Sequence, residues 1–259
     1  MMAVYSAEEI ELIRENNILV SRTLAEVAKI IAPGVTTNEL DKVAETFIRD
    51  HGAVPGFLGY RGFPKSLCTS VNSQVVHGIP SDYELQEGDI VSVDCGTYKN
   101  GFYGDSAYTF VVGPVSRVVQ QLLDVTKASL FEAVKLAVNG KRVGDIGFAV
   151  QNYCETAGYS VVRELVGHGL GKNMHESPEV PNYGRRGSGP KLKKGSVICI
   201  EPMINLGRKE IKQESDGWTI TTLDKSVSAH FELAVAIGDE TPDVLSTFNY
   251  IEEVLEKKG

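Results

Sequence analysis

Five residues in this chain pair a metal-binding or proton-transferring side chain with strand-like or glycine-rich flanks. They are Asp94 in Val-Asp-Cys-Gly, Asp105 in Tyr-Gly-Asp-Ser, His168 in Gly-His-Gly, Glu201 in Ile-Glu-Pro and Glu232 in His-Phe-Glu-Leu. A lone acid at a strand end is ordinarily a cap or an ion-pair partner, but four of them beside apolar residues, with a histidine between glycines, form a more specific pattern. Gathered in one pocket, the carboxylates would repel: unit charges about 4 Å apart at an effective dielectric near 20 interact by roughly 4 kcal/mol per pair. None of the five has Lys or Arg next to it, so if they converge, bound divalent cations are the economical counter-charge. Four carboxylates and one imidazole are too oxygen-rich for a structural zinc site. They suit Co, Mn, Fe(II) or Zn in a hydrolytic pair that shares bridging carboxylates.

The elements that must position these groups are legible from caps and periodicity. Ser6 with Glu9, and Thr36 with Glu39, have capping-box spacing, and Leu40, Val43, Ala44 and Phe47 follow one helical face, which predicts two N-terminal helices. From Lys65 to Val112 the texture turns to β-branched runs. Ile90 to Thr97 and Gly104 to Val112 flank the turn residues Lys99, Asn100 and Gly101, the signature of an antiparallel hairpin. Helical texture returns over Val115 to Val138 and Val143 to Ala157, and strand texture over Ser196 to Leu206, Trp218 to Thr222 and Phe231 to Ile237. A short amphipathic helix is expected from Asn249 to Lys258.

This order of helices then strands, twice, points to an internal repeat, roughly 10–112 and 115–238, within a single domain spanning 1–259. Leu24, Ile30, Gly34, Leu40, Phe47 and Gly52 match Leu130, Leu136, Gly140, Ile146, Tyr153 and Gly158 at a constant offset of 106 residues. Leu85, Gly88, Ile90, Val93 and Asp94 match Leu192, Gly195, Val197, Ile200 and Glu201 at an offset of 107. Structural copies packed about a pseudo-two-fold axis would let Asp94 and Glu201 end equivalent strands and meet where the halves join.

A hydrophobic share of 42% in 259 residues is enough for a substantial core. The net charge of -8 argues against a general binder of nucleic acid or anionic membranes, and the basic run Arg185, Arg186, Lys191, Lys193 and Lys194 is broken by Gly and Pro, as in a solvated loop. Met1 to Glu15 is amphipathic and carries acids, unlike a secretory or membrane-spanning segment, so a cytoplasmic location is expected. Cys68, Cys95, Cys154 and Cys199 show no C-x-x-C spacing and are expected as buried thiols.

Over nearly its whole length the sequence resembles the type I methionine aminopeptidases, whose ligand pattern is an Asp, a second Asp eleven residues on, a His in Gly-His-Gly, a Glu in Glu-Pro-Met and a last Glu on the final strand. Asp94, Asp105, His168, Glu201 and Glu232 occupy those positions. The resemblance implies an α+β pita-bread (creatinase/aminopeptidase) fold, with two pseudo-symmetric halves of helices packed on an antiparallel sheet. It implies two divalent ions per chain, with Asp105 and Glu232 bridging both, Asp94 completing one site, and His168 and Glu201 completing the other. Glu201 is then the proton shuttle for an attacking water. His77, in Val-Val-His-Gly-Ile-Pro, and His175, in Asn-Met-His-Glu, match the two histidines that contact substrate and assist the transition state. Phe57, Tyr60, Phe63, Cys68, Met174 and Trp218 match the methionine pocket, an apolar wall that suits a thioether. The expected reaction is removal of the initiator methionine from nascent polypeptides, favouring a small second residue; by that rule a chain beginning Met1-Met2 keeps its own Met1. A monomer with transient ribosome contact, and with no nucleic-acid cofactor or membrane partner, completes the expectation.

Three positions depart from the commonest pattern: Met174 stands where Phe is usual, Phe57 where Cys is usual, and Leu233 follows the last ligand where His is common. His230 is either a replacement group behind the ligands or a surface residue. Aminopeptidase P and prolidase share the fold, but they usually carry a further N-terminal domain, for which the early arrival of Asp94 leaves no room. Type II methionine aminopeptidases have a long insertion between the last two glutamates, whereas Glu201 and Glu232 are close in sequence. A pita-bread protein that had become a binding module should have lost ligands and gained basic surface, and neither is seen. The segment Gly167, Gly169, Gly171 lacks the frame of a nucleotide-binding loop.

Overall fold

The computed structural model describes residues 2–258; Met1, on which the retention rule bears, and Gly259 lie outside the described residues. Both N-terminal capping boxes form. Glu9 donates its backbone N–H to Ser6 Oγ at 3.2 Å and its carboxylate accepts from the Ser6 N–H at 3.0 Å, which starts α1 (Ala7–Ile30). Thr36 and Glu39 repeat the device at 3.2 and 2.7 Å for α2 (Thr37–Asp50). The later helices are α3 (Arg117–Val134), α4 (Val143–Thr156) and α5 (Asn249–Lys258). The two 14-residue helices α2 and α4 begin and end at the 106-residue offset found in the sequence.

Every paired strand is antiparallel. Ile90–Lys99 and Phe102–Val111 run in unbroken register from Ile90 opposite Val111 to Lys99 opposite Phe102. Only Asn100 and Gly101 remain for the turn, with φ of 55° and 84°, the left-handed pair that a tight hairpin requires. Leu67–Val71 lies on the other side of Ile90–Lys99 and puts Cys68 opposite Asp94. The second large sheet has the order Asp243–Val244, Leu233–Ala236, Val197–Ile200, Gly167–Gly169, Glu176–Val180. Two three-stranded sheets, one of Ser228–His230, Met203–Asn205 and Ser160–Val161, the other of Ile211–Gln213, Ile220–Thr222 and Gln74–Val76, complete the set.

Three expected strands begin late or break, each for a local reason. Ser196 to Leu206 divides at Glu201 and Pro202, because proline has no N–H to give a ladder. The strand expected from Trp218 starts at Ile220, since Asp216 Oδ1 captures the N–H groups of both Trp218 and Thr219 at 2.8 Å. The last strand starts at Leu233 because the N–H of Glu232 leaves its own sheet and donates to Ala107 O, in the hairpin, at 2.9 Å. Ser106 Oγ returns a bond to Glu232 O at 2.6 Å. These bonds stitch the two large sheets together at the acids.

Helix α1 lies on the hairpin. Gly104 permits the approach: a Cβ there would stand 2.6 Å from the backbone carbon of Asn16. Asn17 Oδ1 then accepts the N–H of Asp105 at 3.1 Å. One apolar core runs through both halves and includes Leu24, Leu40, Ile48, Leu130, Ile146 and Val150, each at most 1% exposed. Leu233 belongs to it, pairing opposite Ile200 and facing away from Glu232 as strand alternation demands. No helix among the described residues is long and apolar enough to cross a membrane.

Candidate metal centre

Asp94 and Asp105 come from the two arms of one hairpin, His168 from the strand Gly167–Gly169, Glu201 from the end of Val197–Ile200, and Glu232 from the seam between sheets. All five line a cavity of about 140 Å³. His168 Nδ1 lies 2.9 Å from Gly169 O, and Nε2 lies 3.7 Å from both Asp105 Oδ2 and Glu201 Oε1. Those separations are too long for hydrogen bonds. They are of the order expected for donor atoms that share an ion at about 2.1 Å each.

The donor set fits divalent ions on a second ground. Asp94 Oδ1, Asp105 Oδ1 and Glu232 Oε1 are buried without a hydrogen-bond partner, and no Lys or Arg forms an ion pair with these acids among the described residues. Leaving buried carboxylate oxygens unmatched is costly. Burial raises the Asp94 carboxyl to about 6, partly opposed by His230. Asp105, Glu201 and Glu232 are pushed well above the ordinary range, first by burial and then by one another's and Asp94's charge. Each of the three is thereby biased toward its neutral form, and a cation would oppose that bias.

Cys199 is a donor that sequence reasoning left out. Ligand atoms of Asp105, His168, Cys199 and Glu232 all lie within 4.8 Å of one another. The alternation of one strand, with Cys199 two residues before Glu201, carried the signal. Its sulfur would bind a metal as thiolate, yet burial, followed by the Glu232 charge, pushes the thiol well up. The carboxylate and histidine set is therefore the better donor group. All four cysteines are buried and free.

His230 is 1% exposed, which excludes the surface alternative. Its Nε2 lies 3.6 Å from Glu201 Oε2 and has no hydrogen-bond partner. His77 sits in the left-handed region at φ 59°, and burial, with His230 nearby, lowers its pKa to about 4. His175 is lowered to about 3, chiefly by burial, then by His168 and Arg61. Its Nδ1 is 2.8 Å from Tyr60 OH, and its ring lies 4.2 Å, centre to centre, from that of His168. Both His77 and His175 are thus neutral near pH 7.

Phe57, Phe63, Cys68 and Met174 form one buried cluster, with Tyr60 and Trp218 packed against it. Ile79 and Tyr103 join it without having been foreseen from sequence. Phe63 and Trp218 meet edge to face, 5.1 Å between centres. The two unusual pocket residues are neighbours over Gly96: a Cβ on Gly96 would lie 2.7 Å from Phe57 Cε1 and 3.1 Å from Met174 Cε. A large ring at 57 and a slender thioether at 174 thus fill adjoining space. Arg61 is the remaining cavity residue that the sequence did not suggest; its signal was the left-handed turn with Gly59 and Gly62.

The profile of metallopeptidase family M24 matches residues 11–239. A methionine aminopeptidase of Clostridium acetobutylicum is 50% identical over 247 residues, 95% of this chain and 99% of that protein. The crystal structure of methionine aminopeptidase from Rickettsia prowazekii superposes with a TM-score of 0.94 at 39% identity, covering 95% of this chain and 100% of that one. Prolidase from Pyrococcus furiosus, at 22% identity and a TM-score of 0.73, covers 94% of this chain and 65% of the longer protein, a likeness of fold alone.

Proposed function

This chain belongs to metallopeptidase family M24, and from that membership and its cavity we infer that it is a methionine aminopeptidase, removing N-terminal methionine by metal-dependent hydrolysis. The fold is the α+β pita-bread fold that it shares with methionine aminopeptidases and prolidases. The observation that carries the reading is one cavity lined by both the five donor residues and the apolar, sulfur-tolerant cluster.

We assign two divalent ions, drawn from Co, Mn, Fe(II) or Zn, to Asp94, Asp105, His168, Glu201 and Glu232. When bound, such ions polarise the scissile carbonyl and lower the pKa of water. The protein's own groups do the rest. Glu201, whose carboxyl is already biased toward holding a proton, accepts the proton of the attacking water and returns it to the departing amine. His175 Nδ1 shares a hydrogen bond with Tyr60 OH; in the tautomer whose Nδ1 accepts it, the other ring nitrogen carries the proton and can donate to the substrate's backbone carbonyl as charge develops there. His77, also neutral, supplies a second imidazole to the same peptide.

Phe57, Tyr60, Phe63, Cys68, Met174 and Trp218 take the methionine side chain, which gains from burial and from sulfur to aromatic contact, about 0.3–1.5 kcal/mol for the latter. A preference for a small second residue belongs to the same reading. The deciding experiment is release of free methionine from Met-Ala-Ser and Met-Leu-Ser with and without added Co or Mn. Metal-dependent cleavage of the Ala peptide alone supports substrate, metal dependence and size rule together. Cleavage of Xaa-Pro peptides in place of both would overturn the reading.

A further inference from the structure

Arg61 is the one residue lining the cavity, among the described residues, that carries a permanent positive charge. Four carboxylates line the same space. Two divalent ions would neutralise those four charges, so the loaded cavity would keep a single uncompensated charge, the guanidinium.

The local backbone presents that charge deliberately. Arg61 is exposed and adopts φ 49°, ψ 24°, between Gly59 at φ 81° and Gly62 at φ 89°. A non-glycine residue in this region is unusual and costs conformational energy. Its side chain finds no carboxylate among the described residues. The guanidinium carbon rests 5.4 Å from the centre of the Tyr60 ring, and Tyr60 stacks on His175, 5.3 Å between centres. Arg61 is therefore one ring removed from a histidine of the reaction centre, at the exposed edge, and its charge is felt at His175.

An aminopeptidase admits its substrate amino end first, so the chain beyond the scissile bond must leave across the exposed edge. At about 3.3 Å per residue for an extended chain, the third and fourth residues come within reach of such a side chain. Resting on the aminopeptidase reading, we propose that Arg61 is a specificity-determining residue that recruits peptides with acidic side chains at their third and fourth positions and disfavours basic ones. An exposed charge pair acts weakly and is screened within about 10 Å at 0.1 M salt, so the preference is modest and salt-dependent.

The test uses metal-loaded enzyme at low ionic strength and three C-terminally amidated peptides, Met-Ala-Asp-Asp, Met-Ala-Ser-Ser and Met-Ala-Lys-Lys. The wild-type kcat/KM for the acidic peptide should exceed that for the basic one by about three- to tenfold. Arg61→Gln should bring the ratio to within about twofold, Arg61→Lys should restore most of it, and added salt should erode it. An unchanged ratio in Arg61→Gln, including the case where all three rates fall in parallel because Arg61 merely steadies Tyr60, overturns the proposal. Failure of the wild type to cleave even the Ser-Ser peptide would instead sink the aminopeptidase reading, and this inference with it.

Discussion

Nε2 of His230 stands 3.6 Å from Oε2 of Glu201, while the other oxygen of that carboxylate lies 3.7 Å from His168. The Glu201 carboxylate thus lies between two buried imidazoles. Thr109 fixes the His230 backbone from the hairpin by a pair of bonds, 2.6 Å to its carbonyl and 3.0 Å from its N–H, and Asn182 Nδ2 donates to Glu201 O at 2.9 Å. The acid proposed to move the proton is therefore tied through its backbone to Asn182, while its carboxylate lies between His168 and His230.

Three histidines at three depths should separate experimentally. His168→Ala is expected to lose metal affinity most. His230→Ala should weaken it by about 10–100-fold through loss of the group behind Glu201. His77→Ala should keep its metal and lose turnover, by about 10²–10³-fold. Calorimetric titration with Mn(II) beside steady-state kinetics checks this, and equal metal loss in all three would refute the division of roles.

Metal should also stabilise the fold, because it matches buried oxygens that otherwise have no partner. At a free concentration of about 100 Kd the gain is roughly 2.7 kcal/mol, which at about 2–4 °C per kcal/mol raises Tm by about 5–10 °C. Thermal melts of chelated and Mn-reconstituted protein measure it. Coincident melts would show that the acids hold no ion.

The pH dependence of chelated protein follows from two opposed sets. His77 and His175, lowered to about 4 and about 3, and His168 and His230, lowered as well, all mainly by burial, are charged in the unfolded chain below about 6.5, so they destabilise as pH falls through that value. Asp94, raised to about 6, and Asp105, Glu201 and Glu232, also raised well above the ordinary carboxylate range, hold protons that the unfolded chain releases near about 4, so they destabilise as pH rises. Between about 4 and 6.5 the two sets oppose each other. Above about 6.5 the histidines no longer contribute, and any further change in Tm of chelated protein comes from the raised acids, in the direction of a fall as pH rises. Bound metal should abolish that fall, since the ionised carboxylates become ligands. A chelated Tm that rises from pH 6.5 to 8 would contradict the assignment.

Gly104→Ala tests the seat of Asp105. The new methyl meets helix backbone at 2.6 Å, where no side chain can yield, so α1 must shift from the hairpin and strain the Asn17 bond to Asp105. A loss of about 1–3 kcal/mol in urea unfolding is expected, with weaker Mn binding. Wild-type stability in this variant would mean that the helix is free to move.

Caps, turn chemistry and ligand identities were readable along the chain because they are short-range. A capping box closes over three residues, as Ser6 and Glu9 do, and the Asn100-Gly101 turn sets a whole hairpin register from two left-handed residues. Strand boundaries at Trp218 and Glu232 were not readable, because Asp216 and Ala107 compete for their N–H groups. The first competitor is local but depends on turn geometry; the second lies in another sheet.

Sequence by itself determined which side chains were available: five donors, two further histidines and six pocket residues, all of which the fold places around one cavity. Tertiary structure decided what surrounds them. It buried His230 beside Glu201, turned Cys199 inward, set Phe57 and Met174 over Gly96, sent Leu233 to the core and left Arg61 at the edge. The physical reason is that His230 and Cys199 meet the acids only where two sheets join at a seam, at which Glu232 gives its N–H to Ala107. Hydrophobic periodicity along one strand says which face is buried, but not which residue from more than a hundred positions away will be buried against it.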